Sequence, residues 1–223
     1  MVEARSLFGL TAAADGLIAT GGYNNGHGQE LASVEVFSFE DGWNRVPGLE
    51  MSSTKYYHCS IITGSWLYTI GGVVDGTSYN EVSNLVEAID TADQSAAWTR
   101  RASMLDKRYV PSCHVGAIEG QEGIYVAGGR GANGFELSSA EFYNPVLDIW
   151  QEIASLTTGR GWSSMTKLGG DLIVSGGSND QDYLSSVEMW NGSKWVELDD
   201  KRLEMGRAFH AAVSIKAGLL SCV

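Results

Sequence analysis

Ser139-Ala140-Glu141-Phe142-Tyr143-Asn144-Pro145 is followed by Trp150, then Arg160, then Leu172-Ile173-Val174-Ser175-Gly176-Gly177. Four landmarks stand here in one order: a glutamate two residues ahead of a bulky apolar residue, a tryptophan, a basic residue, and a glycine doublet that closes an apolar run. Outward from this stretch the same order recurs. The doublets are Gly21-Gly22, Gly71-Gly72, Gly128-Gly129 and Gly176-Gly177, at intervals of 50, 57 and 48 residues. The glutamates are Glu35, Glu87, Glu141 and Glu188, followed two residues on by Phe37, Ile89, Tyr143 and Trp190. Trp43, Trp98, Trp150 and Trp195 come next, and Arg5, Lys55, Arg108, Arg160 and Arg207 form the basic column. A fixed order at a period of about 50 residues marks a repeat architecture.

Each unit reads as four short strands. The first follows the basic residue, as in Ser60-Ile61-Ile62 or Ala211-Ala212-Val213, and the second runs into the glycines, as in Trp66-Leu67-Tyr68-Thr69-Ile70. The third carries the glutamate, as in Ser33-Val34-Glu35-Val36-Phe37, and the fourth opens with the tryptophan. The runs are short, rich in β-branched and aromatic residues, and punctuated by Gly, Asn and Asp. No helical period persists, so the expected class is all-β with no helix beyond about two turns. A doublet at a strand end permits positive φ and close backbone approach. A tryptophan on an outer strand can cover the seam to the next unit. A glutamate inside an apolar strand needs a partner, and the basic column supplies one.

These residues, clearest from Ser139 through Gly177, resemble the kelch family, and the likeness runs along essentially the whole chain. The resemblance implies a β-propeller in which each repeat is one four-stranded blade. The expected division of a single propeller domain over 1–223 is blades 1–50, 51–103, 104–155 and 156–202, with a partial blade 203–223. Arg5, Lys55 and Arg160 each precede their doublet by 16 residues; 16 beyond Arg207 stands Val223, with no glycines. The expectation is a fragment of a longer kelch protein with an unpaired strand edge, or else a four-bladed ring with a frayed tail. The stretch before Pro111 is expected to displace Arg108 from its column.

Composition narrows the function. Hydrophobic residues make up 43 % and the net charge is −12, with no basic cluster to offset it. Nucleic acid is therefore not the expected partner. No stretch approaches the ~18 apolar residues of a membrane span, and Met1-Val2-Glu3-Ala4-Arg5 opens no leader, so no membrane association is expected. Cys59, Cys113 and Cys222 are odd in number and lack metal-ligand spacing. They are expected to be buried, reduced thiols of a cytoplasmic protein.

Loops that vary on a repeating frame are where binding surfaces are built. The loops after the doublets are Tyr23–Leu31, Val73–Asn80, Arg130–Glu136 and Ser178–Tyr183. The resemblance adds that kelch propellers bind peptides on this face, around the central opening. The candidate ligand-binding residues are Tyr23, Asn24, Asn25, Arg130, Asn133, Asn179, Asp180 and Tyr183. The partner expected is a peptide or loop of another protein, with an acidic one suited to Arg130. Arg5, Lys55, Arg108, Arg160 and Arg207 could ring the opening and grip acidic groups, or could pair with the buried glutamates, the reading preferred because those glutamates need partners. His58, His114 and His210 fall near one another in the repeat, yet recurrent packing outweighs a metal site, and no metal or other cofactor is expected. Ser52-Ser53 and Ser163-Ser164 have no base at a meaningful spacing, and the Gly26-His27-Gly28 loop lacks a nucleotide-binding frame. The chain is thus expected to be a non-enzymatic, protein-binding propeller. For that the resemblance offers substrate recognition in a cullin-type ubiquitin ligase adaptor or binding to actin and the cytoskeleton. A kelch-fold enzyme of the sialate epimerase or copper-oxidase kind is the contrasting class.

Overall fold

The computed structural model describes residues 1–74, 81–93 and 95–214. Four antiparallel four-stranded sheets succeed one another along the chain as the blades of a β-propeller. Blade 1 comprises Gly9–Ala13, Gly16–Thr20, Val34–Ser38 and Gly42–Arg45. Blade 2 comprises Cys59–Thr63, Trp66–Ile70, Val86–Asp90 and Thr99–Arg101. Blade 3 comprises Ser112–Ile118, Gln121–Ala127, Ala140–Asn144 and Ile149–Ile153. Blade 4 comprises Ser164–Leu168, Asp171–Ser175, Val187–Trp190 and Trp195–Glu197. Each sheet keeps its strands in chain order, and first strands neighbour first strands between consecutive blades. The first strands therefore line the axis. Among the described residues the helical structure is 3-10 only, as in the short turn Asp199–Lys201. No helix there is long and apolar enough to cross a membrane.

Burial explains why these runs become strands. The second and third strands are sandwiched between neighbouring blades and are apolar on both faces, as in Leu67, Tyr68 and Ile70 or Ile124, Tyr125 and Val126. The seams are hydrophobic clusters: Ile18, Leu67 and Ile89 between blades 1 and 2, Tyr68, Val126 and Tyr143 between 2 and 3, and Phe142, Val174 and Trp190 between 3 and 4. Two of the tryptophans latch these seams. Trp98 Nε1 donates to the Leu49 carbonyl at 2.8 Å, and Trp150 Nε1 donates to that of Ala102 at 2.8 Å.

The glycine doublets lie where consecutive blades cross. The second glycine of each donates its N–H to the carbonyl of the next repeat's basic residue: Gly22 to Lys55, Gly72 to Arg108, Gly129 to Arg160 and Gly177 to Arg207, at 2.8–2.9 Å. A Cβ on Gly129 would stand 2.8 Å from the Tyr109 carbonyl oxygen, at a φ of +92°. No side chain fits there.

Three expectations are corrected. Arg108 stays in its column, because the longer repeat is absorbed elsewhere: the first two strands of blade 3 run seven residues each where their counterparts run five. The hairpin simply reaches further at its tip. Cys59 and Cys113 are joined in a disulfide between the first strands of blades 2 and 3, with Cα atoms 6.3 Å apart; that spacing is ordinary for a bridge. Inner strands of adjacent blades share no backbone ladder, so their side chains can meet directly. Ala211-Ala212-Val213 is not a strand, although Ala212 N donates to Ser164 Oγ of the preceding inner strand. Residues 75–80 of the Val73–Asn80 loop, Cys222 and the place of the missing doublet at Val223 lie outside the described residues.

Candidate functional site

The site is built from the same repeat that builds the core. Arg5, Lys55, Arg108 and Arg160 have no exposed side-chain surface, and each meets the glutamate of its own repeat: Arg5 to Glu35 at 2.6 Å, Lys55 to Glu87 at 3.2 Å, Arg108 to Glu141 at 2.7 Å and Arg160 to Glu188 at 2.6 Å. The arginines also donate to the carbonyls of Gly21, Gly128 and Gly176. Each glutamate spends its remaining capacity on the approaching chain, as Glu141 accepts from Leu105 N and Asp106 N, and Glu188 from Thr157 N and Thr158 N. Burial by itself raises the Glu35 pKa, but hydrogen bonds from Val2 N, Glu3 N and Arg5 outweigh it and hold the carboxyl below its ordinary value. These cations leave no surface for a ligand, so the ring of basic groups at the opening does not exist. Arg207 is exposed and has no ion pair among the described residues.

What rings the opening instead lies two residues beyond each basic position. Leu7, Tyr57, Val110, Trp162 and Phe209 all take left-handed backbone, with φ between 49° and 58°. Bulky and β-branched residues seldom accept that conformation. It turns each N–H onto the carbonyl of its counterpart one repeat earlier: Tyr57 to Leu7 at 2.8 Å, Val110 to Tyr57 at 2.8 Å, Trp162 to Val110 at 3.3 Å and Phe209 to Trp162 at 3.1 Å. A chain of ring contacts follows the same path, from Tyr23 through Tyr56, Tyr57, Tyr109 and Trp162 to Phe209, with centroids 5.0–6.2 Å apart. Phe209 is 65 % exposed. This aromatic rim was not read from the sequence; its signal was the bulky residue recurring two after the basic one.

Seven of the eight candidate loop residues divide between two cavities, and Asn133 lines neither. Arg130, Asn179, Asp180 and Tyr183 come together at a cavity of about 470 Å³ between blades 3 and 4, beside Glu136, Trp162 and Asp182. Tyr23, Asn24 and Asn25 line a separate cavity of about 590 Å³ with residues 2–6. The asparagines serve largely as turn supports: Asn24 is buried and accepts from Gly26 N, Asn133 accepts from Phe135 N, and Asn179 accepts from Gln181 N and Asp182 N. Asn25 donates to Ser6 Oγ.

Arg130 is not a free fork. Its backbone exchanges hydrogen bonds with Tyr109, and its Nε donates to the Gly134 carbonyl. Its guanidinium lies 3.6 Å from Glu136, 3.7 Å from Asp180 and 5.8 Å from the Trp162 ring centroid. Three carboxylates, Glu136, Asp180 and Asp182, face one cation in this cavity. Burial and the nearby Asp180 push Glu136 above the ordinary glutamate pKa, against the pull of Arg130. An acidic group would meet net negative charge here.

The histidines do not converge. His58 Nε2 pairs with Thr20 Oγ1 at 2.8 Å, His210 Nε2 with Ser175 Oγ at 3.4 Å, and His114 Nδ1 with the Val115 carbonyl at 2.9 Å. His58 and His210 stand three residues after their basic residue, whereas His114 stands six after. Among the described residues no group of three or more His, Cys, Asp and Glu could hold a metal.

Comparison with known proteins agrees with this anatomy. The Kelch motif family model matches residues 111–157. Kelch-like protein 23 of Homo sapiens is 22 % identical, over 86 % of this chain and 41 % of its own length. Spermatocyte protein spe-26 of Caenorhabditis elegans is 24 % identical, over 95 % of this chain and 36 % of its own. Beta-scruin of Limulus polyphemus is 29 % identical over 66 % of this chain. The chain spans about two fifths of the length of the first two relatives. The structure of YjhT superposes with a TM-score of 0.76 at 13 % identity, covering 93 % of this chain and 73 % of that one. Paired glycines at every blade crossing, a buried cation–glutamate pair in every blade and a Kelch motif matched over residues 111–157 show a β-propeller built of kelch-type repeats.

Proposed function

We propose that this propeller is a non-catalytic protein-binding module, and that its loop face around the aromatic rim receives a peptide or loop of another protein. The observation that carries this reading is the strained rim. Five bulky residues hold left-handed backbone around one opening, and Phe209 on that rim and Tyr183 in the blade 4 loop are each 65 % exposed. Exposed aromatics on a rigid frame are what anchoring contacts are made of. The relatives named kelch-like support a recognition role within a longer protein.

Placement of a photo-crosslinking side chain tests the face. At position 183 or 209 it should capture a bound protein. At Val146 or Leu168, exposed on the far ends of the blades, it should not. Capture from 146 or 168 alone would place the interface on the opposite side. The resemblance carries the further proposal that the recognised protein is handed to a cullin-type ligase. Co-purification of a cullin with the full-length protein supports this, and co-sedimentation with filamentous actin in its place favours the cytoskeletal role.

A further inference from the structure

We propose that the cavity between blades 3 and 4 accepts an arginine or lysine side chain of the partner protein, with Arg130 holding that place until it is displaced. This rests on the loop face being the binding face. Glu136 has only 5 % of its side chain exposed, and its Oε2 has no hydrogen-bond partner among the described residues. Such an atom is costly unless a donor reaches it. Asp180 lies close enough to Glu136 to raise its pKa, so the two carboxylates repel unless a cation lies between them. Arg130 does this poorly: its contacts of 3.6 and 3.7 Å are well beyond the 2.7–2.9 Å of a charge-assisted hydrogen bond. With 31 % of its side chain exposed, it can swing away. An incoming guanidinium or ammonium group would take the Glu136–Asp180 gap with the Trp162 ring as its wall. The buried Trp162 Nε1–H, which also has no partner among the described residues, suits a peptide carbonyl. The net charge of −12 would draw a basic segment toward this surface.

The test selects a random phage-displayed heptapeptide library on the full chain at neutral pH. Recovered peptides are then bound to wild type, E136Q, D180N, R130A and Y183A. Peptides carrying Arg or Lys are expected. Their affinity should fall about tenfold on E136Q or D180N, and should hold or rise on R130A. Replacing the peptide arginine by citrulline should cost a similar factor. Asp180 is half-exposed, so D180N stays informative even where E136Q disturbs folding. Peptides that weaken on Y183A but ignore E136Q and D180N, or that weaken on R130A as on E136Q, overturn the basic-side-chain inference while the face stands. Peptides indifferent to all four changes, or no recovered peptide at all, count against the face and the inference together.

Discussion

Lys55 occupies the place that Arg5, Arg108 and Arg160 hold in their own repeats, and Leu85 explains the difference. The terminal guanidinium nitrogens of those arginines donate to Ser33, Ser139 and Ser186 hydroxyls. The carbonyls of these serines accept from the first glycine of each doublet, and in blade 2 that acceptor is the carbonyl of Leu85, which has no hydroxyl. Lys55 needs less, reaching Glu87 and Thr69 alone among the described residues. K55R alone should therefore cost about 1–3 kcal/mol through an unpaired buried N–H. K55R with L85S should recover most of it, giving a favourable coupling of about 1–3 kcal/mol in a denaturation cycle; simple additivity would refute the account. His58 offers a pH test. Burial, helped by Lys55, lowers its pKa to about 3, so it is neutral in the fold and titrates at the ordinary 6.5 once unfolded. The stability it lends is complete above pH 6.5 and lost as pH falls from there toward 3. By pH 5 the loss should reach about 2 kcal/mol, and H58Q should lack that part of the slope.

At the scale of the element, the glycine doublet is a crossing point and the loop beyond it is not. Gly129 has the Tyr109 carbonyl within 2.8 Å of any added Cβ, whereas Gly134, also at positive φ, has nothing within 4 Å. G134A should cost only about 1 kcal/mol, from backbone strain alone. G129A adds a clash with backbone that is itself held by Arg130, and should cost roughly 3 kcal/mol or more. Thermal melts of the two variants decide; equal losses would mean that close packing is not what the doublet serves.

At the scale of the molecule, blades meet through packed side chains as well as the backbone bonds of the doublets and rim, and the Cys59–Cys113 bridge ties two of them across a separation of 54 residues. Closing a loop of that length contributes up to about 4 kcal/mol in the chain-entropy view. Reduction should lower the melting temperature, and non-reducing peptide mapping should recover the linked pair. If both thiols alkylate in the native protein, the seam is packed by free cysteines, as composition led one to expect.

The repeat, its four strands, the glycine crossings and the cation–glutamate pairing were legible in the sequence, because each depends on residue type at a recurring position. A glutamate in an apolar strand announces its need for a partner wherever it lies. The tertiary structure decided what depends on which side chains meet. Arg108 kept its place because a hairpin can lengthen at its free tip, a choice that spacing cannot reveal. Cys59 and Cys113 lie in different repeats, and only the packing of inner strands joins them. The rim arises from left-handed backbone at five bulky residues, a conformation that their identities argue against and that the ring of inter-blade hydrogen bonds imposes. The sequence likewise offered Arg130 as an anion seat. The tertiary structure sets Glu136 and Asp180, from two different blades, against that one cation, a meeting that spacing in the sequence does not reveal.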